Sequence, residues 1–209
     1  MIEIPKILIG FKVHKDNKLI FDNLQEGHSW TRNFYTAMYS TMAGCGGGAS
    51  NNYGAGYMTR KNTSGALKYS STYLCKTMDG YAGQISSAGF GIVVGTGDTA
   101  FSVDDYVLAT PVAQGTGSGQ MSYQAMTRPV PTYDTKVWTT VHSRVLNNNS
   151  GGSITIKETG LVWSGSAFEA SASTFYLVER SVLSPTVDVA NGAQLTVTYT
   201  ISSSFAAID

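Results

Sequence analysis

Regular alternation of apolar and polar residues dominates the second half of the chain. In the last run, Leu195, Val197, Tyr199 and Ile201 share one face, while threonines and serines occupy the other. Successive side chains of a β-strand point to opposite faces, so this pattern predicts a strand with one buried side. Similar runs predict five strands, at 120–128, 136–146, 153–163, 174–182 and 194–203. We expect the last strand to lie at the centre of the core sheet.

Turn-forming residues predict how neighbouring strands are connected. Near the start of the chain, residues 15–18 (Lys-Asp-Asn-Lys) separate apolar runs at 7–14 and 19–22, which predicts a β-hairpin. Residues 147–152 (Asn-Asn-Asn-Ser-Gly-Gly) tolerate positive φ angles, which predicts a second hairpin loop. Regularly spaced antiparallel strands of this kind favour a β-sandwich of the jelly-roll type.

One segment near the start has helical periodicity. From residue 29 onwards, apolar residues recur at every fourth position, Ser29 or Thr31 can cap the helix start, and Gly44 can end the helix. The apolar positions are Trp30, Phe34, Met38 and Met42. An aromatic and methionine stripe of this kind is typical of a helix face that packs on the core.

Residues 45–88 have little periodicity and many turn-forming residues, which predicts long loops with short strands. Long loops in a compact domain are often contact surfaces, and tyrosine is favoured at adaptable interfaces. The candidate contact residues are Tyr53, Tyr57, Tyr69, Tyr73 and Tyr81. The alternative, in which these tyrosines pack over the edges of the sheets, is equally compatible with the sequence.

Together these patterns predict the fold class. We expect an all-β protein, mainly an antiparallel β-sandwich, with one N-terminal helix and long Gly/Tyr-rich loops. The chain should form a single domain over residues 1–209, with a hairpin and helix in 1–44, a loop-rich insert in 45–88 and the sandwich in 89–209.

A glycine motif at 95–100 (Gly-Thr-Gly-Asp-Thr-Ala) matches the G-x-G-x-x-G/A fingerprint of dinucleotide-binding turns. That fingerprint needs a long helix directly after the turn and an acidic residue about 20 positions further on. Here Pro111 and several valines leave no room for such a helix, and residues 113–127 contain no Asp or Glu. We therefore predict a strand, a tight turn and one helical turn capped by Ser102 and Asp105, without a nucleotide site.

Composition excludes some partners and favours others. The 209 residues include 14 basic and 14 acidic side chains, so the formal net charge is zero and charged residues make up only 13% of the chain. This gives no electrostatic basis for binding nucleic acid or an anionic membrane. A sparsely charged surface favours a subunit that buries its exterior against neighbours. The sequence has no run of 18 apolar residues and no signal peptide, so we expect synthesis in a cytoplasm.

Residues that bind metals or act as nucleophiles do not cluster in the sequence. His14, His28 and His142 are far apart, and Cys45 and Cys75 have neither C-x-x-C spacing nor nearby histidines. These spacings argue against a zinc site. The sequence leaves open whether the two cysteines pair or stay reduced. It also lacks the G-x-S-x-G elbow of the serine hydrolases.

The acidic residues do not form a catalytic pair either. Asp104 and Asp105 are adjacent and are predicted to complement the dipole of the short helical turn. A calcium loop built on Asp98 and Asp104 is the alternative. The other candidate acids, to which no partner can be assigned, are Glu158, Glu169 and Glu179. Arg180 is expected at a surface or an interface, and we predict no catalytic, cofactor or metal site.

Two segments, 89–112 and 154–202, carry motifs beyond simple periodicity. In order, the motifs are GxGxxxxxxDDYxL, E-x-G-L, R-x-x-L-x-P and GxxLxVxYxI. Their residues are Gly95, Asp104, Asp105, Tyr106 and Leu108; Glu158, Gly160 and Leu161; Arg180, Leu183 and Pro185; then Gly192, Leu195, Val197, Tyr199 and Ile201. With the helical segment at 27–44, they resemble a family of virion structural proteins of tailed bacteriophages and related viruses. One departure is Thr159, where an apolar residue is usual.

The resemblance implies a non-enzymatic virion component with no cofactor, such as a head decoration protein, a minor capsid protein, or a neck or tail component. We expect such a subunit to assemble with itself and with capsid or tail proteins inside the host cytoplasm, and to reside in the virion. The alternative is an adhesin module of a tail fibre or spike that binds a receptor or a host surface glycan through its Tyr, Trp and Asn loops.

Overall fold

A computed structural model describes residues 4–42, 59–69, 80–127, 130–166 and 173–204. The elements, in chain order, are β1 (Lys6–Lys15), β2 (Lys18–Glu26), β3 (Ser29–Trp30), α1 (Arg32–Met42), β4 (Thr59–Lys61), β5 (Leu67–Tyr69), β6 (Gly91–Gly95), β7 (Ser122–Tyr123), β8 (Thr132–Asp134), β9 (Val137–Asn147), β10 (Ile154–Ser166), β11 (Ser173–Val189) and β12 (Gln194–Ser204). Within the described ranges, α1 is the only helix, and no helix there is long and apolar enough to cross a membrane.

The strands form two antiparallel sheets that pack face to face. The large sheet has the order β2-β1-β12-β9-β7, with β8 also paired to β9, and the small sheet has the order β3-β11-β10-β6. A separate hairpin contains β4 and β5. This arrangement confirms the predicted all-β sandwich. It also confirms the central position of the last strand, because β12 lies between β1 and β9.

The main core lies between the two sheets and follows the predicted alternation. On β12, Leu195, Val197 and Tyr199 are fully buried, whereas the intervening residues are partly exposed. The other fully buried apolar residues of this core include Ile9, Phe11 and Val13 of β1 and Ile156, Leu161, Tyr176, Val187 and Val189 of the small sheet. Removal of this apolar surface from water is the main contribution to folding.

The predicted hairpin at the start of the chain is confirmed. Strands β1 and β2 pair in antiparallel register, and Asp16 and Asn17 between them have φ angles of 50° and 60°. Two consecutive residues with positive φ give the turn the twist that a tight hairpin needs. Asp and Asn tolerate this conformation better than most other residues.

The predicted helix is present but begins later than its apolar pattern indicates. Ser29 and Trp30 form β3 and pair with β11, and α1 begins only at Arg32. The Thr31 hydroxyl donates to the carbonyl of Leu177 on β11, so it ties the helix start to the small sheet instead of capping the helix. Trp30 nevertheless belongs to the apolar stripe, because its ring stacks on Phe34 with centroids 3.8 Å apart. The predicted end at Gly44 lies outside the described residues.

Two of the predicted elements are wrong. Of the strand expected at 120–128, only Ser122 and Tyr123 form a strand among the described residues up to 127, and Met121 adds an isolated bridge to Gln114. The loop at 147–152 is not a hairpin, because β9 pairs with β12 while β10 pairs with β11. The chain crosses there from one sheet to the other. The buried Asn148 side chain stabilises the crossing by donating to the carbonyls of Gly152 and Val189, at 2.8 and 2.7 Å.

An irregular layer covers the outer side of the small sheet. A second apolar cluster lies there, made of Phe90, Val93, Leu108, Val162 and Leu177. The segment 96–110 contributes to this layer and contains turns but no helix. Within this segment, residues 102–105 form one turn, in which the Asp105 N–H donates to the Ser102 carbonyl at 3.0 Å and the Ser102 N–H donates to Oδ2 of Asp105 at 2.9 Å. The single turn capped by Ser102 and Asp105 is therefore present as predicted, but it is not part of a helix.

Candidate functional site

The polar residues of three of the quoted motifs meet in one buried ion network on the outer side of the small sheet. Arg180 on β11 donates through Nε to Glu158 on β10 at 2.8 Å and through Nη1 to Asp105 at 2.9 Å. Its Nη2 also donates to the carbonyl of Thr99 at 2.8 Å. Because Arg180 and Glu158 are both buried, the expectation that Arg180 lies at a surface or an interface is wrong. Glu158 has the partner that the sequence could not assign.

The Glu158 carboxylate holds the segment 96–110 against the sheet. Its Oε1 accepts hydrogen bonds from the backbone N–H groups of Gly97 and Thr110, at 3.2 and 2.7 Å. Its Oε2 accepts from Ala109 at 3.0 Å in addition to Arg180. Four donors occupy the two oxygens, so this carboxylate has no free lone pair directed at a substrate. The network fixes a loop to a strand.

The glycine motif is explained by the same carboxylate. A Cβ atom at Gly97 would lie 2.7 Å from Oε1 of Glu158, and one at Gly95 would also collide with that side chain. The Gly97 N–H, which a phosphate would need in a nucleotide-binding turn, is already bonded to Glu158. The close backbone approach that the motif predicts is therefore present, but the anion is a carboxylate of the chain itself.

The acidic residues of this loop pair individually with cations. Asp104 contacts Arg32 at 2.6 Å, and Asp98 contacts Lys157 at 2.9 Å. The hydrogen bond from Lys157 lowers the pKa of Asp98. Asp105 pairs with Arg180 and also accepts from the Ser102 N–H, so it caps the turn at 102–105. The segment 96–110 contains no helix whose dipole Asp104 and Asp105 could complement. No group of three or more His, Cys, Asp or Glu that could hold a metal occurs within the described ranges.

A second carboxylate, Glu179, lies fully buried between the sheets. Its Oε2 accepts from the hydroxyl of Tyr199 on β12 at 2.8 Å, and its Oε1 accepts from Ser181. The Tyr199 oxygen also lies 3.2 Å from the hydroxyl of Thr159, which donates to the carbonyl of Val93. Thr159, the departure from the motif, thus belongs to a polar contact between the sheets. Burial raises the pKa of Glu179 to about 8.

The raised pKa predicts a pH-dependent stability. In the unfolded chain Glu179 ionises near its ordinary pKa of 4.5, whereas the folded chain keeps the proton up to about pH 8. Unfolding therefore releases a proton between these values, and the free energy of unfolding falls as the pH rises through this window. Between pH 4.5 and about pH 8, the free energy of unfolding of the wild type should fall by about 2 kcal/mol or more relative to that of Glu179→Gln. Urea denaturation at a series of pH values measures this difference. Parallel pH profiles of the two proteins would contradict the assignment.

Two further buried arginines were missed by sequence reasoning. Arg144 on β9 donates to five backbone carbonyls, at distances of 2.6 to 2.9 Å. These carbonyls belong to Gln84, Ser87, Phe90, Ile92 and Gln124. The guanidinium of Arg60 lies between the rings of Trp163 and Tyr176, 4.5 and 4.3 Å from their centroids. Burial lowers the pKa of both arginines to about 10, so both stay charged at neutral pH.

The other candidate residues from the sequence do not converge. His142 is buried on the inner face of β9, and this burial lowers its pKa. Its ring packs edge-to-face with the ring of Tyr81, with centroids 5.5 Å apart. Tyr81 packs against the main core, as the packing alternative for the insert predicts. His14 lies on β1, and His28 lies between β2 and β3. The remaining candidates, Cys45, Cys75, Tyr53, Tyr57, Tyr73 and Glu169, lie outside the described residues, and nothing is described of the Tyr69 side chain.

A groove of about 580 Å³ lies at the end of the large sheet, between the start of β1 and the helix α1. Its lining includes Ile4, Leu8, Trp30 and Tyr35, with Glu26 as its carboxylate. The lining also includes the polar residues Lys6, His28, Ser29, Thr200 and Ser202. The Ser29 hydroxyl donates to the carbonyl of Trp30 at 3.5 Å.

The large sheet also has an outer face, on the side away from the small sheet. This outer face is made of Asp22 and Leu24 of β2, Leu8, Gly10 and Lys12 of β1, Thr196, Thr198 and Thr200 of β12, and Val141, Ser143 and Val145 of β9. Leu8, Leu24 and Val141 are 36%, 62% and 47% exposed. Lys12 and Asp22 on this face pair with each other at 3.5 Å. The exposed Glu26, which lies opposite Leu8, and Lys6 at the start of β1 are on the same side of the sheet. The outer face is thus partly apolar, with charged residues among its Leu, Val and Thr side chains.

Searches of protein-family models, of curated proteins and of solved structures found no match to this chain.

Proposed function

We propose that the chain is a non-enzymatic structural subunit of a virus particle, which assembles with copies of itself and with capsid or tail proteins. The observation that carries the proposal is the outer face of the large sheet. It crosses four strands and carries exposed Leu and Val side chains among threonines, with the paired charges of Lys12 and Asp22 and the exposed Glu26 beside Leu8. Exposed apolar side chains rimmed by polar residues mark protein contacts on ordinary soluble proteins.

The composition of the outer face suits packing against another protein surface. Leu8, Thr200 and Val141 lie side by side on adjacent strands. The hydroxyl groups of Ser143 and Thr198 form a hydrogen bond of 3.1 Å with each other. Short β-branched side chains lose little conformational entropy when they are covered. Complete burial of one exposed Leu or Val contributes about 1.5–3 kcal/mol. In a symmetric assembly each such contact is repeated in every copy.

The buried networks support a structural role for the motif residues. Glu158, Arg180 and Asp105 are engaged with each other and with backbone groups, so the most polar residues of the motifs hold the sandwich and its covering loop together. A scaffold fixed in this way keeps the surfaces that meet neighbouring subunits in a constant geometry. The resemblance to virion structural proteins implies the same use of these residues.

A charge placed on the outer face should weaken self-association. For Leu24→Asp and Val141→Asp we expect the dissociation constant of self-association to rise about tenfold or more, because an aspartate loses its hydration when it is covered. Sedimentation velocity over a range of concentrations measures this change. Both positions are exposed, so the variants should remain folded.

Val103→Asp is the matched control. Val103 lies in the segment 96–110 that covers the small sheet and is 44% exposed, close to the 47% of Val141, so the same substitution there should leave self-association unchanged. If Leu24→Asp and Val141→Asp associate like the wild type, the outer face is not the contact surface and the proposal loses the observation on which it depends.

A further inference from the structure

The hairpin of β8 and β9 carries an exposed pair of aromatic rings. Tyr133 and Trp138 face each other directly across the two strands, with ring centroids 4.9 Å apart and ring planes inclined at 40°. Tyr133 is 56% exposed and Trp138 is 45% exposed. Neither residue belongs to the main core cluster, so the pair is an aromatic surface that packing of the sandwich does not require.

The turn that joins the two strands has an unfavourable backbone conformation. Thr135 and Lys136 have φ angles of 46° and 65°, and neither is Gly, Asn or Asp. A tight hairpin turn of this type strongly prefers Asn-Gly, and a β-branched residue with positive φ is strained. Strained backbone is found preferentially at functional positions. Here the turn projects polar side chains beside the aromatic pair.

The surroundings of the pair are polar and carry both signs of charge. Asp134 and Lys136 are exposed, and within the described part of the chain the carboxylate of Asp134 bonds only to the hydroxyl of Thr135, at 3.1 Å. Lys136 forms no ion pair with any described residue. These groups supply acceptors and donors at the rim of an apolar ring surface, without an excess of either charge.

We propose that Tyr133 and Trp138 form a binding site for a neutral oligosaccharide. A pyranose ring has an apolar C–H face and a rim of hydroxyl groups, which matches an aromatic surface edged by a carboxylate, a hydroxyl and an ammonium group. Aromatic rings with one apolar and one polar side are favoured where a ligand is partly apolar and partly hydrated. A protein partner fits less well, because stable protein interfaces bury about 800 Å² on each partner and two rings supply a small part of that area. The site is additional to the proposed structural role and does not depend on it.

Intrinsic fluorescence can test the site directly. Trp30 and Trp163 are only 4% and 6% exposed, so a ligand that covers the pair should change the emission of Trp138 selectively. The probes are cellohexaose, maltohexaose, mannohexaose and chitohexaose, each titrated separately into the full chain. We expect a saturable change with at least one of them. No saturable change with any of the four would overturn the proposal.

Variants then assign the binding to the pair. Trp138→Ala and Tyr133→Ala should weaken binding of the active sugar at least tenfold in calorimetry, and Trp138→Phe should keep part of the affinity. Tyr39→Ala removes a ring on α1 that is 58% exposed and should bind like the wild type. Binding that Trp138→Ala leaves intact would overturn the proposal. Loss of self-association in Trp138→Ala without sugar would also overturn it, because the pair would then be a protein contact. Unchanged melting temperatures show that the variants are folded.

Discussion

Glu158→Ala is expected to lower the free energy of unfolding by about 3–5 kcal/mol, because it removes one of the two carboxylates that compensate the buried charge of Arg180. Arg180 would keep Asp105 but lose its contact at 2.8 Å. Three backbone N–H groups, those of Gly97, Ala109 and Thr110, would lose their acceptor at the same time. Domains of this size have a total stability of about 5–15 kcal/mol, so the variant should be close to unfolding. Urea denaturation followed by circular dichroism measures the loss.

Two variants serve as controls for Glu158→Ala. Glu158→Gln keeps one oxygen acceptor and should have an intermediate stability. Lys157→Gln removes a neighbouring ion pair, but that pair with Asp98 is exposed, so its loss should change the free energy of unfolding far less than Glu158→Ala does. Limited proteolysis should cut Glu158→Ala within 96–110 before the wild type is cut. Equal stability of Glu158→Ala and Lys157→Gln would show that the network does not hold the loop.

Arg144→Met should lower the free energy of unfolding almost as much as Glu158→Ala. The Arg144 side chain has no carboxylate partner within the described part of the chain and donates to five carbonyls from three stretches of backbone, around 84–87, 90–92 and 124. An unpaired buried polar group costs about 1–3 kcal/mol, and relaxation or water can satisfy only some of these carbonyls, so we expect a loss of about 3–4 kcal/mol.

Arg144→Lys distinguishes the contribution of the positive charge from that of the planar guanidinium with its several donors. A lysine keeps the positive charge, but its compact ammonium group cannot reach five acceptors as the planar guanidinium does. The lysine variant should therefore lose most of the stability that the methionine variant loses, as measured by thermal and urea denaturation. A lysine variant as stable as the wild type would show that the charge alone matters at this position.

The sandwich could be predicted because its strongest signals are local. The alternation from Leu195 to Ile201 marks one face of a strand whatever lies opposite it, and it correctly placed β12 in the core. The turn at Asp16 and Asn17 was also readable, because those residue types tolerate the backbone angles that the turn needs. The helix α1 was found for the same reason, although pairing of Ser29 and Trp30 with β11 delayed its start.

The elements that were missed depend on contacts between distant residues. Turn-forming residues at 147–152 allow both a hairpin and a crossing between sheets, and only the pairing of β9 with β12 decides between them. The inner face of β9 carries His142 and Arg144 where a core strand usually has apolar residues, so alternation does not identify this buried face. Arg144 becomes favourable there only because the carbonyls of several loops converge on it.

The polar networks show most clearly what sequence motifs can and cannot establish. The spacing of Gly95 and Gly97 matched an anion-binding turn, and we predicted a tight turn without a nucleotide site; in the structure the Gly97 N–H binds an anion of the chain itself. The identity of that anion, Glu158, depends on the pairing of β10 with β6, which places Glu158 opposite Gly95. Arg180 and Glu158 are diagonal neighbours on adjacent strands, because Arg180 lies opposite Gly160 and Glu158 lies opposite Val182, and no local pattern reveals this proximity. The motif residues could therefore be recognised in the sequence, but their mutual contacts could not.

We propose that the chain works by associating with copies of itself and with other virion proteins. The most direct test is the molar mass of the purified full chain, measured by light scattering from micromolar to millimolar concentration. We expect a mass that rises with concentration to a multiple of the mass of one chain. A mass equal to that of one chain at every concentration would contradict the proposal.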